Sequence, residues 1–182
     1  MMLVLVAFSR HGEALDWARR RAEATWGPIL LTSPPFAFTE TDYYERSMGT
    51  GLTKQFFAFE RLIDAARLIE IKLETNCWES EYAASGDKPE PRPLNLDPGY
   101  LTLAKFVLAS TKDHAHRVYL GRGIYAEVTL HYKHDQWQHR EWTFPDYRRA
   151  DYQQFLEECR RELRRQLRRR GTADNADVAD EE

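Results

Sequence analysis

The stretch MLVLVAF at Met2–Phe8 is continuously apolar and rich in residues that favour strands. An apolar run of this length without polar alternation is typical of a strand that is buried on both faces. A short polar turn at Ser9–Gly12 follows, and then Glu13–Trp26 repeats apolar residues at helical spacing until Gly27-Pro28 stops the pattern. The chain is therefore predicted to open with a central strand followed by a helix.

The next elements complete a recognisable order over the first hundred residues. Strands are predicted at Ile29–Thr32 and Thr53–Glu60, a helix at Leu62–Tyr82, and a further strand at Leu94–Leu96 after a proline-rich loop. Asp97-Pro98-Gly99 has the composition of a turn. The order β-α-β-β-α-β predicts a ferredoxin-like first half.

An antiparallel hairpin is predicted in the second half. Arg117–Leu120 and Gly123–Tyr132 flank a Gly-Arg-Gly turn, and the second arm alternates apolar and polar residues. That alternation predicts a half-buried strand with one wet face, on which Glu127 lies. Leu101–Ser110 fits a helix or a buried strand equally well, since the apolar run is short.

A long helix is predicted from near Arg149 to Gly171, with Cys159 on its apolar stripe. Residues 172–182 are acidic and lack large apolar side chains, which predicts a disordered tail. We therefore expect one α+β domain over residues 1–171. Its ferredoxin-like first half is extended by the hairpin unit and the long C-terminal helix.

Composition and charge exclude several classes of protein. With 42% hydrophobic and 13% aromatic residues, the chain can bury a core, so general disorder is excluded. A net charge of -3 gives no overall attraction to nucleic acid or to an anionic membrane. No apolar run approaches the roughly 20 residues of a membrane helix, and no basic leader precedes Met2–Phe8. A cytoplasmic protein without a membrane partner is expected.

Two features that suggest other chemistry have simpler interpretations. Cys77 and Cys159 fit no metal-ligand spacing, and both fall in helical patterns, so both are expected to be buried and reduced. Seven arginines between Arg160 and Arg170 alternate with an apolar stripe and precede the acidic tail. This pattern favours a solvated amphipathic helix over a surface for RNA or DNA.

Several motifs in order carry a resemblance to a known family. They are NLDPG at 95–99, HRVYLG at 116–121, GIYAEVTL at 123–130, TDYY at 41–44 and WTFPDYR at 142–148. The chain resembles a prokaryotic family known only as a domain of unknown function and marked by the NLDPG motif. The resemblance covers nearly the whole chain up to the acidic tail and implies no reaction. The sequence has no G-x-x-x-x-G-K-[ST] phosphate loop.

The richest candidate site lies between Lys105 and Glu127. Turn amides flanked by lysine and arginine side chains form a plausible cradle for an anion. The predicted ligand-binding residues are Asn95, Lys105, Thr111, Lys112, Asp113 and Arg117, and the predicted catalytic residues are Asp97, His116 and Glu127. In this hypothesis Lys112 and Arg117 hold the anion and His116 carries a proton. Asp97 and Glu127 orient the ligand or a divalent ion.

Each part of this hypothesis has an alternative. The hairpin charges fit a solvated face with cross-strand salt bridges, and Asp97-Pro98-Gly99 fits a purely structural turn. A divalent metal such as Mg²⁺ would find suitable ligand types in Asp97, Asp113, His116, Glu127 and Asp146, but no local spacing supports a metal site. The metal and any other cofactor therefore stay unidentified.

Two functions of different classes remain. The first is binding of a small anionic ligand, such as a phosphate-bearing compound or a nucleotide, with or without a reaction. The second is a non-catalytic protein that contacts a partner, including a second copy of itself, through the C-terminal helix and the loop at Ala84–Pro93. Convergence of the predicted residues in a concave pocket would favour the first, and dispersal along a flat face would favour the second.

Overall fold

A computed structural model describes the backbone of residues 1–179 and the side chains of residues 1–170. The elements of this part of the chain are β1 (Met2–Ser9), α1 (Gly12–Trp26), β2 (Ile29–Thr32), β3 (Phe36–Ala37), α2 (Glu45–Met48), β4 (Thr53–Leu62), α3 (Leu68–Ala84), β5 (Asn95–Leu101), β6 (Lys105–Ser110), β7 (Val118–Gly121), β8 (Ile124–Lys133), β9 (Gln136–His139) and α4 (Ala150–Ala179). Short 3₁₀ turns lie at Ala65–Arg67 and Pro145–Arg148.

The strands form one antiparallel sheet, as the α+β prediction requires. Its order is β2-β4-β1-β5-β6-β8-β7, with β3 beside β4 and β9 beside β8. The part β2-β4-β1-β5, with α1 and α3 as the two connecting helices, is the ferredoxin-like arrangement. The predicted hairpin of β7 and β8 extends the same sheet beyond β5. The fold class predicted from the sequence is confirmed.

The central strand β1 explains how the two halves share a core. All eight of its residues are buried, as predicted. Leu3, Leu5 and Ala7 pack with α1 and α3 on one face of the sheet. The alternate residues Met2, Val4 and Val6 pack on the other face with α4. Because both faces are covered by helices, this strand needs no polar alternation.

The predicted turn at Asp97-Pro98-Gly99 is wrong, because these residues lie inside strand β5. β5 pairs along its whole length with β1, but it pairs with β6 only from Gly99 to Leu101. A proline is tolerated in a strand where one edge has lost its partner, which is the position of Pro98. A Cβ atom at position 99 would lie 2.2 Å from the backbone oxygen of Val107. Close packing of β6, and not turn geometry, therefore requires this glycine.

The predicted wet face of β8 is wrong at its centre. Glu127 and Thr129 are 4% and 0% exposed, so these two polar residues are buried. The segment that follows β9 covers them, since the hydroxyl of Thr143 donates to the backbone oxygen of Thr129 at 2.8 Å. The centre of the polar face is therefore buried, while Tyr125 and His131 on the same face are partly exposed.

Helix α3 is rotated relative to its predicted orientation. Its buried residues are Leu68, Ile71, Lys72, Thr75 and Trp78. The predicted stripe through Cys77 is therefore wrong, and Cys77 is exposed, whereas Cys159 is buried as expected. The sequence misleads here because a lysine and a threonine occupy buried positions. Their polar groups find partners inside the fold.

Helix α4 covers the second face of the sheet. It begins at Ala150, as expected, and buries an apolar stripe that includes Phe155, Leu156 and Leu163. It continues past Gly171, where a helix end was predicted. The predicted domain boundary at 171 and the tail at 172–182 fall where no side chain is described, and residues 180–182 lie outside the described chain. No described helix is long and apolar enough to cross a membrane.

Candidate functional site

A cavity of about 420 Å³ lies where β5 and β6 separate. Beyond the short ladder at Gly99–Leu101, Asn95 and Asp97 of β5 line one side, and Ala109 and Ser110 of β6 line another. Ten charged side chains from both faces of the sheet line it, five acidic and five basic. They are Glu40, Lys54, Lys72, Glu79, Arg92, Asp97, Lys112, Arg117, Glu127 and Asp146.

The hairpin charges form the first of four ion pairs in the cavity. Arg117 immediately precedes β7 and Glu127 lies in the middle of β8, so hairpin pairing brings them together. The Nε of Arg117 donates to Glu127 Oε2 at 2.7 Å, and its Nη1 donates to Ser110 Oγ at 2.6 Å. Thr129 Oγ1 also donates to Glu127, at 3.3 Å. Arg117 and Glu127 are both nearly buried, so the predicted convergence of these two side chains is observed.

The motif at the start of β5 forms a second polar cluster with α3. Asn95 Nδ2 donates to Asp97 Oδ2 at 2.7 Å, since alternate strand residues point the same way. The buried ammonium of Lys72 donates to the backbone oxygen of Leu96 at 2.7 Å and lies 3.6 Å from Asp97 Oδ1. Sequence reasoning missed Lys72. Lys72 follows Leu68 by four residues, which places both on one face of α3, and this spacing was the sequence feature that could have indicated its burial.

Glu79 and Arg92 continue this cluster. Glu79 accepts hydrogen bonds from the backbone N–H of Leu96 at 2.7 Å and from Arg92 Nη2 at 3.1 Å. Burial raises the pKa of Glu79, and this effect outweighs the opposing influence of Lys72, Arg92 and the backbone hydrogen bond. Arg92 also donates to Asn95. Neither Glu79 nor Arg92 belongs to a predicted motif, and no local pattern marked them.

The fourth ion pair joins β4 to the turn before α4. Lys54 Nζ lies 2.5 Å from Asp146 Oδ2, and both side chains are buried. The ammonium is also within 4.8 to 5.1 Å of the ring centroids of Phe8, Phe38 and Tyr147. This aromatic enclosure stabilises the cation through the ring faces. Burial raises the pKa of Tyr147 well above its ordinary value, so the phenol is neutral here.

Lys112 lies at the exposed rim of the cavity. Its Nζ is 3.4 Å from the hydroxyl oxygen of Tyr43 and 5.2 Å from the centroid of that ring. Among the residues whose side chains the structure describes, no carboxylate oxygen lies within 4.0 Å of this ammonium. Thr111 lines the cavity beside it. Lys112 thus differs from the other four basic residues of the lining.

Three predicted residues do not line the cavity. His116 lies behind Glu127, with its Nε2 at 3.2 Å from Glu127 Oε2 and its ring stacked on Trp142. Lys105 lies at the opposite end of β6, and Asp113 is exposed beyond the rim. The other six, Asn95, Asp97, Thr111, Lys112, Arg117 and Glu127, all line it.

The sequence contains five residues of types that suit a divalent metal, and they are Asp97, Asp113, His116, Glu127 and Asp146. Within the described side chains, no group of three or more His, Cys, Asp and Glu residues is arranged to hold a metal ion. The carboxylates of the cavity instead accept hydrogen bonds from lysine, arginine, asparagine and backbone donors.

Comparison with protein families identifies the chain. A family model described as a domain of unknown function, DUF4416, matches residues 1–163, and the chain belongs to this family. The match includes every residue that lines the cavity. Neither the curated proteins nor the solved structures give a match.

Proposed function

We propose that this member of the DUF4416 family binds a small anionic ligand, a phosphate-bearing compound or a nucleotide, in the cavity between β5 and β6. The observation that supports the proposal most is convergence. Six of the nine residues predicted as ligand-binding or catalytic line one concave cavity of about 420 Å³. Ligand sites are concave and carry a few converging polar groups, whereas a partner-binding face is flatter.

The buried ion pairs of the cavity support the same conclusion. Lys54–Asp146 and Arg117–Glu127 are buried, and the more exposed pairs Lys72–Asp97 and Glu79–Arg92 raise the total to eight charges in one small volume. A buried ion pair loses much of its attraction to the cost of desolvation, and apolar residues of similar volume are often as stabilising. Two buried pairs and the buried ammonium of Lys72 around one cavity are therefore better explained by ligand binding than by stability.

The charge pattern indicates where an anion would bind. Inside the cavity each of the four pairs is neutral, so its basic member already has a carboxylate partner. Lys112 at the rim has no such carboxylate, and Ser110 and Thr111 place hydroxyls beside it. An anionic group would contact Lys112 there, with the guanidinium of Arg117 next to it. In this proposal Asp97 and Glu127 orient the rest of the ligand, while His116 acts only through Glu127.

The surfaces assigned to the alternative function make contacts within the chain. The apolar stripe of α4 packs on its own sheet. The proline-rich loop is held to the start of α1, because Lys88 Nζ lies 2.5 Å from Glu13 and Glu90 binds both Arg10 and His11 at 2.9 Å. Neither surface is an open apolar face, and the cavity therefore supports ligand binding more strongly.

A thermal-shift screen tests the proposal. The purified chain is heated with nucleotides, sugar phosphates, carboxylates and inorganic phosphate, with and without Mg²⁺. A ligand at 100 times its Kd adds about 2.7 kcal/mol to the free energy of unfolding. For a chain of this length, that corresponds to a rise in Tm of roughly 5–11 °C. We expect a concentration-dependent rise with at least one phosphate-bearing compound.

Two lysines of the same segment supply the variant and its control. Lys112→Ala removes the rim ammonium and should abolish the shift, whereas Lys105→Ala removes an exposed lysine outside the cavity and should preserve it. Both unliganded variants should melt like the wild type because neither side chain is buried. A shift that survives in Lys112→Ala, or a flat response across the panel, would contradict the proposal.

A further inference from the structure

Apolar side chains are exposed along one edge of the sheet. Val118, Tyr119 and Leu120 are consecutive residues of β7 and are 67%, 58% and 39% exposed. Because β7 ends the sheet order, one side of its backbone pairs with no strand of the described chain. Natural proteins usually protect such an edge with charged residues or proline, and the sequence VYLG contains neither.

The exposed patch continues at Trp142. Its side chain is 41% exposed, its ring stacks on His116 at 5.5 Å, and its Nε1 donates to the backbone oxygen of Val128 at 3.4 Å. Since Val118 pairs with Ala126, Trp142 lies along β8 next to the start of β7. Half of the eight exposed large apolar side chains in the described part of the chain therefore lie on this edge. Such clustering marks an interaction surface.

We propose that this edge is a self-association surface, in which β7 of one chain pairs antiparallel with β7 of a second copy. A two-fold axis between the copies gives both the same contacts and uses both open edges. Association therefore stops at a dimer. Tyrosine and tryptophan are the residues that most often dominate the energetics of such interfaces.

The charges at the ends of β7 are compatible with a second copy as the occupant. Arg117, before the strand, is bound to Glu127, and Arg122, after it, lies 3.5 Å from Glu70. Antiparallel pairing brings the start of one β7 next to the end of the other. Arg117 of one copy and Arg122 of the other would therefore lie near each other, and each already has a carboxylate partner in its own chain. The segment VYLG itself contains no charge that could repel its copy.

Tyr119 is oriented before association. Its hydroxyl accepts a hydrogen bond from the backbone N–H of Gly123 at 3.3 Å, and its ring lies 5.2 Å from that of Tyr125. A register shift between Tyr119 and Gly121 keeps the regular ladder short. The side chains of Tyr119 and Trp142 must therefore supply much of the buried surface. A side chain that is already ordered loses little entropy on binding.

Sedimentation velocity of the full chain, across concentrations up to the solubility limit, tests the inference. We expect the wild type to shift to twice the mass of one chain as concentration rises. Val118→Lys and Tyr119→Lys should remain monomeric, because each copy would place an ammonium opposite its partner. The control is Leu167→Lys, at an apolar position on α4 that is 42% exposed, and this variant should still dimerise.

Melting of each variant shows whether it is folded, and the substituted side chains are exposed, so Tm should change little. A wild type that is monomeric at every concentration overturns the proposal. The β7 edge would then be a candidate binding site for a strand of a different protein. A dimer that persists in both β7 variants also overturns it. Neither result depends on the ligand proposed for the cavity.

Discussion

Replacing Gly99 with alanine isolates the packing that opens the cavity. Gly99 is not in the left-handed region of backbone conformation, so alanine introduces no dihedral strain. In an ordinary turn the exchange would stabilise the chain by about 0.4–1 kcal/mol, because the unfolded state loses entropy. In β5, however, the new Cβ would lie 2.2 Å from the backbone oxygen of Val107 and 2.9 Å from Leu108 Cδ2.

The size of the effect follows from the strand geometry. Cβ contacts under 3.0 Å essentially do not occur, so β5 and β6 must move apart by about 0.8 Å at this point. Hydrogen bonds near 2.9 Å would stretch past the normal limit, and the β5–β6 ladder has only three paired positions. At about 1 kcal/mol per lost hydrogen bond, Gly99→Ala should cost roughly 2–4 kcal/mol.

Urea unfolding followed by far-UV circular dichroism measures this cost. A loss of about 3 kcal/mol lowers the Tm of a chain of this length by roughly 6–12 °C. The matched control is Gly12→Ala at the start of α1, where no atom lies within 4 Å of the new Cβ. It should be as stable as the wild type or slightly more so. A Gly99→Ala variant with the same free energy of unfolding as the Gly12→Ala control would refute the close-packing explanation and favour the turn interpretation.

Three further predictions concern buried ionisable groups. Asp146→Ala leaves the ammonium of Lys54 buried without its partner and should lower the free energy of unfolding in urea by about 3–5 kcal/mol. The apolar double variant Lys54→Met with Asp146→Leu should recover most of that loss. Equal losses in the single and the double variant would contradict the pairing. Burial raises the pKa of the Cys159 thiol, whereas Cys77 is exposed. A disulfide reagent such as DTNB should therefore titrate one thiol per folded chain and two after denaturation. In the folded Cys77→Ser variant it should titrate none. Burial raises the pKa of Glu79 above its ordinary value of 4.5, so its contribution to stability is present below that value and is lost as pH rises through the folded-state pKa. Compared with Glu79→Gln, the wild type should therefore lose unfolding free energy as pH rises, and parallel pH profiles would count against this assignment.

Much of the candidate site could be predicted because it depends on strand alternation and short hairpins. Asn95 and Asp97 are two residues apart in one strand, and Arg117 and Glu127 face each other across one turn, so local pattern brings each pair together. The buried partners from elsewhere could not be predicted in this way. Lys72 reaches the backbone of Leu96 across 24 residues, and Lys54 reaches its carboxylate across 92.

The sequence by itself determined the β-α-β-β-α-β order of the first half and the strand buried on both faces, since these follow from the period of apolar residues. It left Leu101–Ser110 open between helix and strand, and the structure shows strand β6. Only the tertiary structure decided the role of Asp97-Pro98-Gly99, because its local turn preference is overridden by pairing with β1 and by the close approach of β6. The structure likewise decided that Glu127 is buried and that His116 lies behind it. The cavity forms where the β5–β6 ladder ends, and that point depends on contacts between segments far apart in the chain, which no local pattern encodes.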